Sequence, residues 1–271
     1  MRFKLLLDYE KLNHSPYSEI TLPYSYTIRC RNQILYYFGG NHSHDKTNPQ
    51  YRKLQSFWRK FIKQVNPENA IVLVEDGPHT PDKNIEEAVY YGGENGYVTF
   101  LNRKLKISIE CPEPSYKEQV LHLNKKYSRE KIILFFFIRA LAQWHRSEIK
   151  RRRIESMNLY LTKKMRRYKS EFPWSKYSYT VNQMEKVFKK IYSKSLKSLS
   201  ESSVNDLLFP SRESPMNKIA NSLNQFRDYR ILRRIEKHWR MGKSIFIVYG
   251  GSHAVVQKPV ISDFANCSKS A

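Results

Sequence analysis

Two segments near opposite ends of this 271-residue chain share one pattern. Each consists of five apolar or aromatic residues, a glycine pair, one further residue and a histidine, over residues 34–42 and again over residues 245–253. Such apolar runs predict buried β-strands, and a glycine pair lets the chain turn sharply where the strand ends. The glycines are Gly39, Gly40, Gly250 and Gly251. Because the pattern occurs twice, we expect both strands to serve one site.

The histidines of these two segments are His42 and His253. In open α/β sheets, ligands bind at the carboxyl ends of the strands. If the two strands are parallel neighbours, about 4.8 Å apart, both imidazoles can point at one small site. The alternative is two ordinary strand-to-helix turns whose histidines face solvent or are satisfied locally. Two matching copies favour the shared site.

Carboxylates follow two other short runs that resemble strands. Residues 71–74 form a buried apolar run that ends at Glu75, and Gly77 then redirects the chain. Residues 107–109 end in the same way at Glu110. Both acids are therefore expected at the carboxyl edge of the sheet. Glu75 is the primary candidate because it lies directly between its strand and the turn.

Polar residues beside the glycines are candidates for supporting roles. Glu94 lies in the glycine-rich stretch 92–96, which predicts a break in a helix and a new helical start near the site. Backbone amides at such a start favour an anion or a developing oxyanion; a plain loop is the alternative. His44 and Asp45 follow the first glycine pair, and we expect them to orient the reactive side chains.

Two neutral imidazoles and a carboxylate support two kinds of chemistry. His42, Glu75 and His253 are a suitable ligand set for Zn²⁺, Mn²⁺ or Co²⁺, with an open position for a water of lowered pKa. The same groups can act without a metal, one histidine as a general base oriented by Glu75 and the other holding an oxyanion. The residue types alone leave both alternatives open.

The order of elements indicates an α/β fold with a central mixed, mainly parallel sheet flanked by helices. Residues 24–30 alternate well enough to pair as a hairpin with residues 34–38. From residue 115 to residue 172 there is neither proline nor glycine, and the apolar spacing is helical. We predict a single α/β domain over residues 1–271 with a helical, basic insertion at residues 146–241.

The charge of the chain is strongly basic. The formal net charge is +23, and residues 146–197 contain sixteen Lys or Arg against four Asp or Glu. A solvated helical face is one interpretation, and a surface that contacts nucleic acid or an anionic membrane is the other. The candidate contact residues are Lys150, Arg151, Arg152, Arg153, Lys163, Lys164, Arg166 and Arg167.

Cysteine usage and hydropathy favour a soluble, cytoplasmic protein. Three widely spaced cysteines, Cys30, Cys111 and Cys267, form neither a disulfide framework nor a zinc-ribbon pattern. Cys30 and Cys111 lie in runs that resemble strands, and we interpret them as core thiols. The longest apolar run, residues 132–138, is far shorter than the roughly 20 residues that span a bilayer.

The motif order resembles the superfamily of erythromycin esterases, TraB/PrgY proteins, Tiki proteases and ChaN-type proteins. The similarity extends over about residues 34–261, and its matching positions are Gly39 with His42, Glu75, and Gly250 with His253. The resemblance implies an α/β core in which these histidines and the glutamate form one site. It also implies hydrolysis in some members, haem or regulatory binding in others, and a functional arginine, for which Arg103 and Arg139 are both candidates.

Two classes of function follow. The first is a hydrolase that cleaves an ester or amide bond at a His/Glu/His site, with or without a divalent metal. The second is a binding protein that docks on nucleic acid or an anionic membrane through its basic helices, or a haem-binding member of the same superfamily.

Overall fold

The structure is a computed structural model that describes residues 2–13, 19–77, 83–146, 156–210 and 213–265. The chain divides into two compact units. The first combines Met1–Glu113 with Asp228–Ala271, and the second is Pro114–Arg227. The second unit overlaps the predicted insertion over residues 146–227. Four residues of the predicted basic surface lie outside the described residues: Lys150, Arg151, Arg152 and Arg153.

Within the described residues, five strands form one sheet in the first unit. They are β1 (Tyr24–Cys30), β2 (Gln33–Gly40), β3 (Ala70–Val74), β4 (Ser108–Glu110) and β5 (Ser244–Gly250). Their order is β1-β2-β5-β3-β4. β1 and β2 are antiparallel, whereas the other neighbours are parallel. The predicted α/β fold with a mixed, mainly parallel sheet is therefore confirmed.

The helices of the described residues follow the apolar spacing of the sequence. They are α1 (Gln50–Ile62), α2 (Ile85–Asn102), α3 (Tyr116–Leu123), α4 (Arg129–Arg146), α5 (Met157–Glu171), α6 (Val181–Tyr192), α7 (Glu201–Leu208), α8 (Pro215–Arg240) and α9 (Gly251–Ala265). Short 3₁₀ turns are Arg2–Leu5, Tyr9–Asn13, Pro67–Asn69 and Leu196–Ser198. The first unit contains α1, α2, α9 and the carboxyl-terminal half of α8.

The two Gly-Gly segments end neighbouring strands. β2 and β5 pair in parallel, with Leu35 opposite Ile245 and Gly40 opposite Gly250. Every residue of β5 is buried, as expected for a parallel strand that is covered on both faces. β3 pairs with the other side of β5. The carboxyl ends of β2, β5 and β3 therefore lie side by side.

Helices cover both faces of the sheet in the first unit. Because side chains alternate along a strand, Phe38 of β2 packs in a core cluster with residues of α1 and α2. Its neighbour Tyr37 packs in a separate cluster with residues of α8 and α9. The helices hold the strand ends in register on both sides, and the site lies where the strands stop.

The second unit is helical and has its own apolar core. Phe136, Phe188 and Leu223 are each at most 1% exposed in this core. At the start of α3, Ser115 Oγ accepts from the N–H of Glu118, and the Glu118 carboxylate accepts from the N–H of Ser115 over 2.9 Å. This reciprocal cap satisfies two backbone donors at the helix start.

Three observations bear on the expectations from cysteine usage and hydropathy. Cys30, at the end of β1, is disulfide-bonded, so its interpretation as a core thiol is wrong. Cys111 is a free, half-buried thiol. No helix among the described residues is long and apolar enough to cross a bilayer.

Candidate functional site

Glu75 lies at the carboxyl edge of the sheet, directly after β3. Its side chain is nearly buried, and Oε2 accepts a hydrogen bond of 3.0 Å from the backbone N–H of Gly250. The N–H of Glu75 donates to the carbonyl of Val248 over 3.2 Å. A carboxylate that accepts a backbone N–H is a charge-assisted acceptor. β3 and β5 together therefore hold this carboxylate at the edge of the sheet.

His42 lies on the turn after β2 and faces the same carboxylate. Its Nε2 is 4.0 Å from Oε2 of Glu75, and its side chain is 54% exposed. Its backbone has φ = 58°, a conformation that is uncommon outside glycine and concentrates at functional sites. A Cβ at Gly250 would lie 2.5 Å from His42 Nε2. The absence of a side chain at Gly250 thus makes room for the imidazole.

Glu94 supports the turn that carries His42. At Gly93 the backbone of α2 is non-helical, with φ = 55° and ψ = −137°, so the predicted break in this helix is confirmed. Glu94 is buried after the break, and its Oε1 accepts from the N–H of Ser43 over 3.2 Å. A Cβ at Gly40 would lie 2.6 Å from the same oxygen. The glycine at position 40 therefore lets the buried carboxylate approach the strand end.

Further contacts hold the segments around His42 and Glu75. Asn95 donates from its side-chain amide to the carbonyl of Glu75 over 2.7 Å. His44 donates from Nδ1 to the carbonyl of Tyr90 over 3.0 Å. Asp45 accepts from the N–H of Thr47 over 2.9 Å and from its hydroxyl. These hydrogen bonds from Thr47 lower the pKa of Asp45. Asp45 thus shapes the exposed turn after His42.

One glycine from each of the two segments allows close packing at the start of α9. A Cβ at Gly39 would lie 2.7 Å from Cβ of Ala254, and a Cβ at Gly251 would overlap Cδ2 of Leu22. Side chains at these two positions would push α9 away from β2 and from the segment before β1.

His253 is buried, with 5% of its surface exposed, in the first turn of α9. Its Nδ1 lies 2.6 Å from Oδ1 of Asp228 on α8 and 3.0 Å from the Tyr9 hydroxyl oxygen. Tyr9 donates its hydroxyl proton to Oδ2 of Asp228 over 2.6 Å. The carboxylate of Asp228 thus fixes the ring of His253 on its Nδ1 side.

Two more buried side chains complete this network. Gln257, one turn after His253, donates to Oδ1 of Asp228 over 2.6 Å, and Tyr37 donates to Oε1 of Gln257 over 3.0 Å. Burial raises the pKa of Tyr37 well above its usual value, so its hydroxyl stays protonated as a donor. The network joins β2, α8 and α9 to the amino-terminal segment that carries Tyr9.

Sequence reasoning missed Tyr9 and Asp228. A usable signal existed for Asp228, because it lies three, four and seven residues before Ile231, Leu232 and Ile235. That spacing puts a carboxylate on the apolar stripe of a helix, which predicts a buried acid with a partner. Tyr9 lies in an amino-terminal segment without periodicity, which offers no comparable signal.

Three other candidates have contacts elsewhere. Glu110 forms ion pairs with Arg234 at 2.5 Å and His238 at 2.9 Å. The Arg139 guanidinium lies over the ring of Phe136 in the second unit, 5.7 Å from its centroid. The Arg103 guanidinium lies over the ring of Phe100, 5.4 Å from its centroid. None of these contacts joins the side chain to His42 or Glu75.

At the edge of the sheet, two side chains could ligate a metal ion: the imidazole of His42 and the carboxylate of Glu75. His42 Nε2 and Glu75 Oε2 are 4.0 Å apart, whereas Nδ1 of His253 faces Asp228. In the part of the chain that the structure describes, no group of three His, Cys, Asp or Glu side chains is arranged to hold a metal ion. The three predicted ligands are therefore not assembled as a metal centre in this structure.

Comparisons of the chain with models of protein families, with curated proteins and with solved structures find no match. The function of the site is therefore inferred from its residues and their geometry.

Proposed function

We propose that the edge formed by His42 and Glu75 is the reactive site of a hydrolase that cleaves an ester or amide bond. The observation that carries this proposal is the 4.0 Å separation of His42 Nε2 and Glu75 Oε2. One partner is exposed and can meet a substrate, while the other is anchored by the N–H of Gly250. An exposed imidazole beside a carboxylate that is held by a backbone N–H is an arrangement that supports general acid–base catalysis.

In the proposed mechanism, His42 acts on water. The neutral imidazole removes a proton from a water molecule as the water oxygen attacks the carbonyl carbon of the substrate. Glu75 stabilises the imidazolium that forms. The tetrahedral intermediate then expels the alcohol or amine, and His42 returns the proton to that leaving group. The products are a carboxylic acid and an alcohol or amine, and His42 is again neutral.

The contacts of His253 support a positioning role in this mechanism. α9 begins directly after Gly250, whose N–H anchors Glu75. The bond of 2.6 Å between His253 and Asp228 ties the first turn of α9 to α8. Because this tie restrains the start of α9, it also restrains Gly250 and hence the carboxylate of Glu75. A direct part for His253 in the chemistry stays a prediction from the sequence.

Metal dependence is tested separately from this mechanism. Zn²⁺, Mn²⁺ or Co²⁺ would be held by His42 and Glu75, and would supply a bound water of lowered pKa. Dialysis against a chelator, followed by metal analysis and an activity assay, distinguishes the two versions. Activity that survives complete metal removal supports His42 as the base, whereas activity restored only by added metal supports the metal version.

A second candidate function is binding of a polyanion by the helical unit. Lys163 and Arg166 of α5 are exposed, while Arg167 is paired with Glu171 at 2.7 Å and Lys164 lies over the ring of Tyr160, 5.3 Å from its centroid. The exposed side chains of Lys163 and Arg166 support electrostatic binding of a polyanion.

The hydrolase is tested with the purified full chain on a panel of activated esters and short peptides. We expect turnover that falls by about 10²-fold or more in His42→Ala, the range that loss of a general base produces. His122→Ala is the matched control, because His122 stacks on Phe226 in the second unit, with ring centroids 4.3 Å apart. Turnover that survives in His42→Ala would rule out His42 as the base.

A further inference from the structure

The outward face of α1 carries a row of cations. Arg52, Arg59, Lys60 and Lys63 are all exposed, the last of them immediately after the final residue of the helix. They lie at spacings of seven, eight and eleven residues from Arg52, which put them on one side of a helix. With 1.5 Å of rise per residue, the row extends for roughly 16 Å.

These cations surround a shallow surface pocket. Its volume is about 320 Å³, and it is lined by Arg52, Gln55, Ser56, Arg59, Lys60 and Lys63. Gln55 and Ser56 lie between the cations and bring side-chain hydrogen-bond donors to the same surface. A pocket that offers positive charges and neutral donors has the chemistry of an anion site.

This row of cations has no acidic partner among the described residues. Residues 50–66 contain no Asp or Glu, and no described residue forms an ion pair with any of the four cations. Arg59 and Lys63 are four residues apart, a spacing at which like charges repel on a helix surface. A solvated surface helix is better stabilised by alternating charges, so an uncompensated row points to an anionic ligand.

The length of the row of cations indicates which kind of anion fits it. Roughly 16 Å is far longer than one phosphate group, and measured along the axis of duplex DNA it corresponds to about five phosphates of one strand, at about 3.4 Å of axis per phosphate. A membrane-surface helix adds apolar residues that enter the lipid, but Leu54, Trp58 and Phe61 of α1 are at most 2% exposed. Single-stranded nucleic acid needs exposed aromatic rings for stacking, and the residues that line this pocket include none.

We propose that the outward face of α1 is a binding site for the phosphodiester backbone of duplex nucleic acid. Arg52, Arg59, Lys60 and Lys63 contact the phosphates, while Gln55 and Ser56 donate to phosphate or sugar oxygens. These contacts carry no base readout, so binding is independent of sequence. The site is separate from the reactive edge of the sheet and does not depend on the hydrolase proposal.

The test measures binding of the full chain to a fluorescently labelled 20-base-pair DNA duplex at several salt concentrations. One variant combines Arg52→Gln, Arg59→Gln, Lys60→Gln and Lys63→Gln. The matched control removes four exposed cations from elsewhere in the first unit, Lys11→Gln, Lys83→Gln, Lys104→Gln and Lys237→Gln. Both variants change the net charge equally. Circular dichroism melts verify that both remain folded.

We expect the α1 variant to bind the duplex at least about tenfold more weakly. Its plot of log affinity against log salt should flatten by about 0.9 for each phosphate that the variant no longer neutralises. The control should keep affinity within about threefold of the natural chain. If both variants bind the duplex equally weakly, the weakening comes from the lower net charge alone and the proposal is overturned. The proposal is also overturned if the α1 variant binds the duplex as tightly as the natural chain.

Two further arms separate the sources of phosphate. Vesicles that contain phosphatidylserine and a single-stranded 20-mer replace the duplex in the same assay. If the vesicles and the single strand both bind more weakly than the duplex, the result supports the proposed site. Tighter binding of either that is abolished in the α1 variant would assign the face to lipid headgroups or to single strands instead.

Discussion

Glu75 and Gly250 join the ends of two parallel strands, because Oε2 of Glu75 accepts the backbone N–H of Gly250 over 3.0 Å. The same oxygen lies 4.0 Å from Nε2 of His42. One carboxylate oxygen thus faces a fixed amide donor and an exposed imidazole. A substitution at any of these three residues should therefore change the position of the other two.

Gly250→Ala tests the space that the imidazole needs. The new Cβ would lie 2.5 Å from His42 Nε2 and 3.6 Å from Glu75 Oε2, so the exposed ring must move away. A misplacement of about 1 Å costs up to about 10²-fold in rate, and we expect a fall of about 10-fold or more in turnover. The free energy of unfolding should change by about 1 kcal/mol or less, because the displaced ring is at the surface. Unchanged turnover would mean that the position of His42 does not matter.

Asp228→Asn tests the buried network around His253. Asp228 is fully buried and accepts hydrogen bonds from Tyr9, His253 and Gln257, and leaving such buried groups without their carboxylate acceptor costs about 3 kcal/mol. Urea unfolding should show this decrease in stability. Tyr9→Phe is the comparison, because it removes only one of the three side chains that hydrogen-bond to Asp228 and should cost less, about 1.5 kcal/mol. A larger cost for Tyr9→Phe would show that Asp228 is not the centre of the network.

Cys111 gives a prediction about pH. Burial raises the pKa of its thiol from 9.0 to about 11, so the folded protein holds the proton more tightly than the unfolded chain. The associated stability is therefore fully present below pH 9.0 and is lost as the pH rises toward about 11. Alkylation of the folded protein by iodoacetamide should be slow at about pH 8 and become faster toward about pH 11, with Cys111→Ser as the blank. Alkylation as fast as that of an unstructured thiol would contradict the burial of Cys111.

The strands at the centre of the sheet could be predicted because their signal is local. Both glycine pairs follow five apolar residues, and the central parallel position of β5 explains why its run has no polar member. The same reasoning placed Glu75 at a strand end. For Glu110 it was insufficient, because β4 is an edge strand on the far side of β3, where Arg234 and His238 of α8 reach its carboxylate.

The partners of His253 could not be read from local sequence. Asp228 is 25 residues away and Tyr9 is 244 residues away, and both contacts exist because α8, α9 and the amino-terminal segment pack together in the first unit. Glu94 was recognised as a candidate from its glycine neighbours. Its bond to the N–H of Ser43 depends on the non-helical backbone at Gly93. The glycine-rich sequence predicts that the helix breaks there, but not the direction in which the Glu94 side chain then points.

The most direct test of the reactive edge is Glu75→Gln, with turnover and melting temperature measured on the same samples. The substitution keeps the volume and removes the charge that we propose stabilises the His42 imidazolium, so we expect turnover to fall by about 10²-fold or more and the melting temperature to change by a few degrees at most. Glu110→Gln is the matched control. It removes ion pairs to Arg234 and His238 and should cost about 1 kcal/mol or less while turnover is kept. Full turnover in Glu75→Gln, or its loss in Glu110→Gln alone, would contradict the assignment of Glu75 to the reactive site.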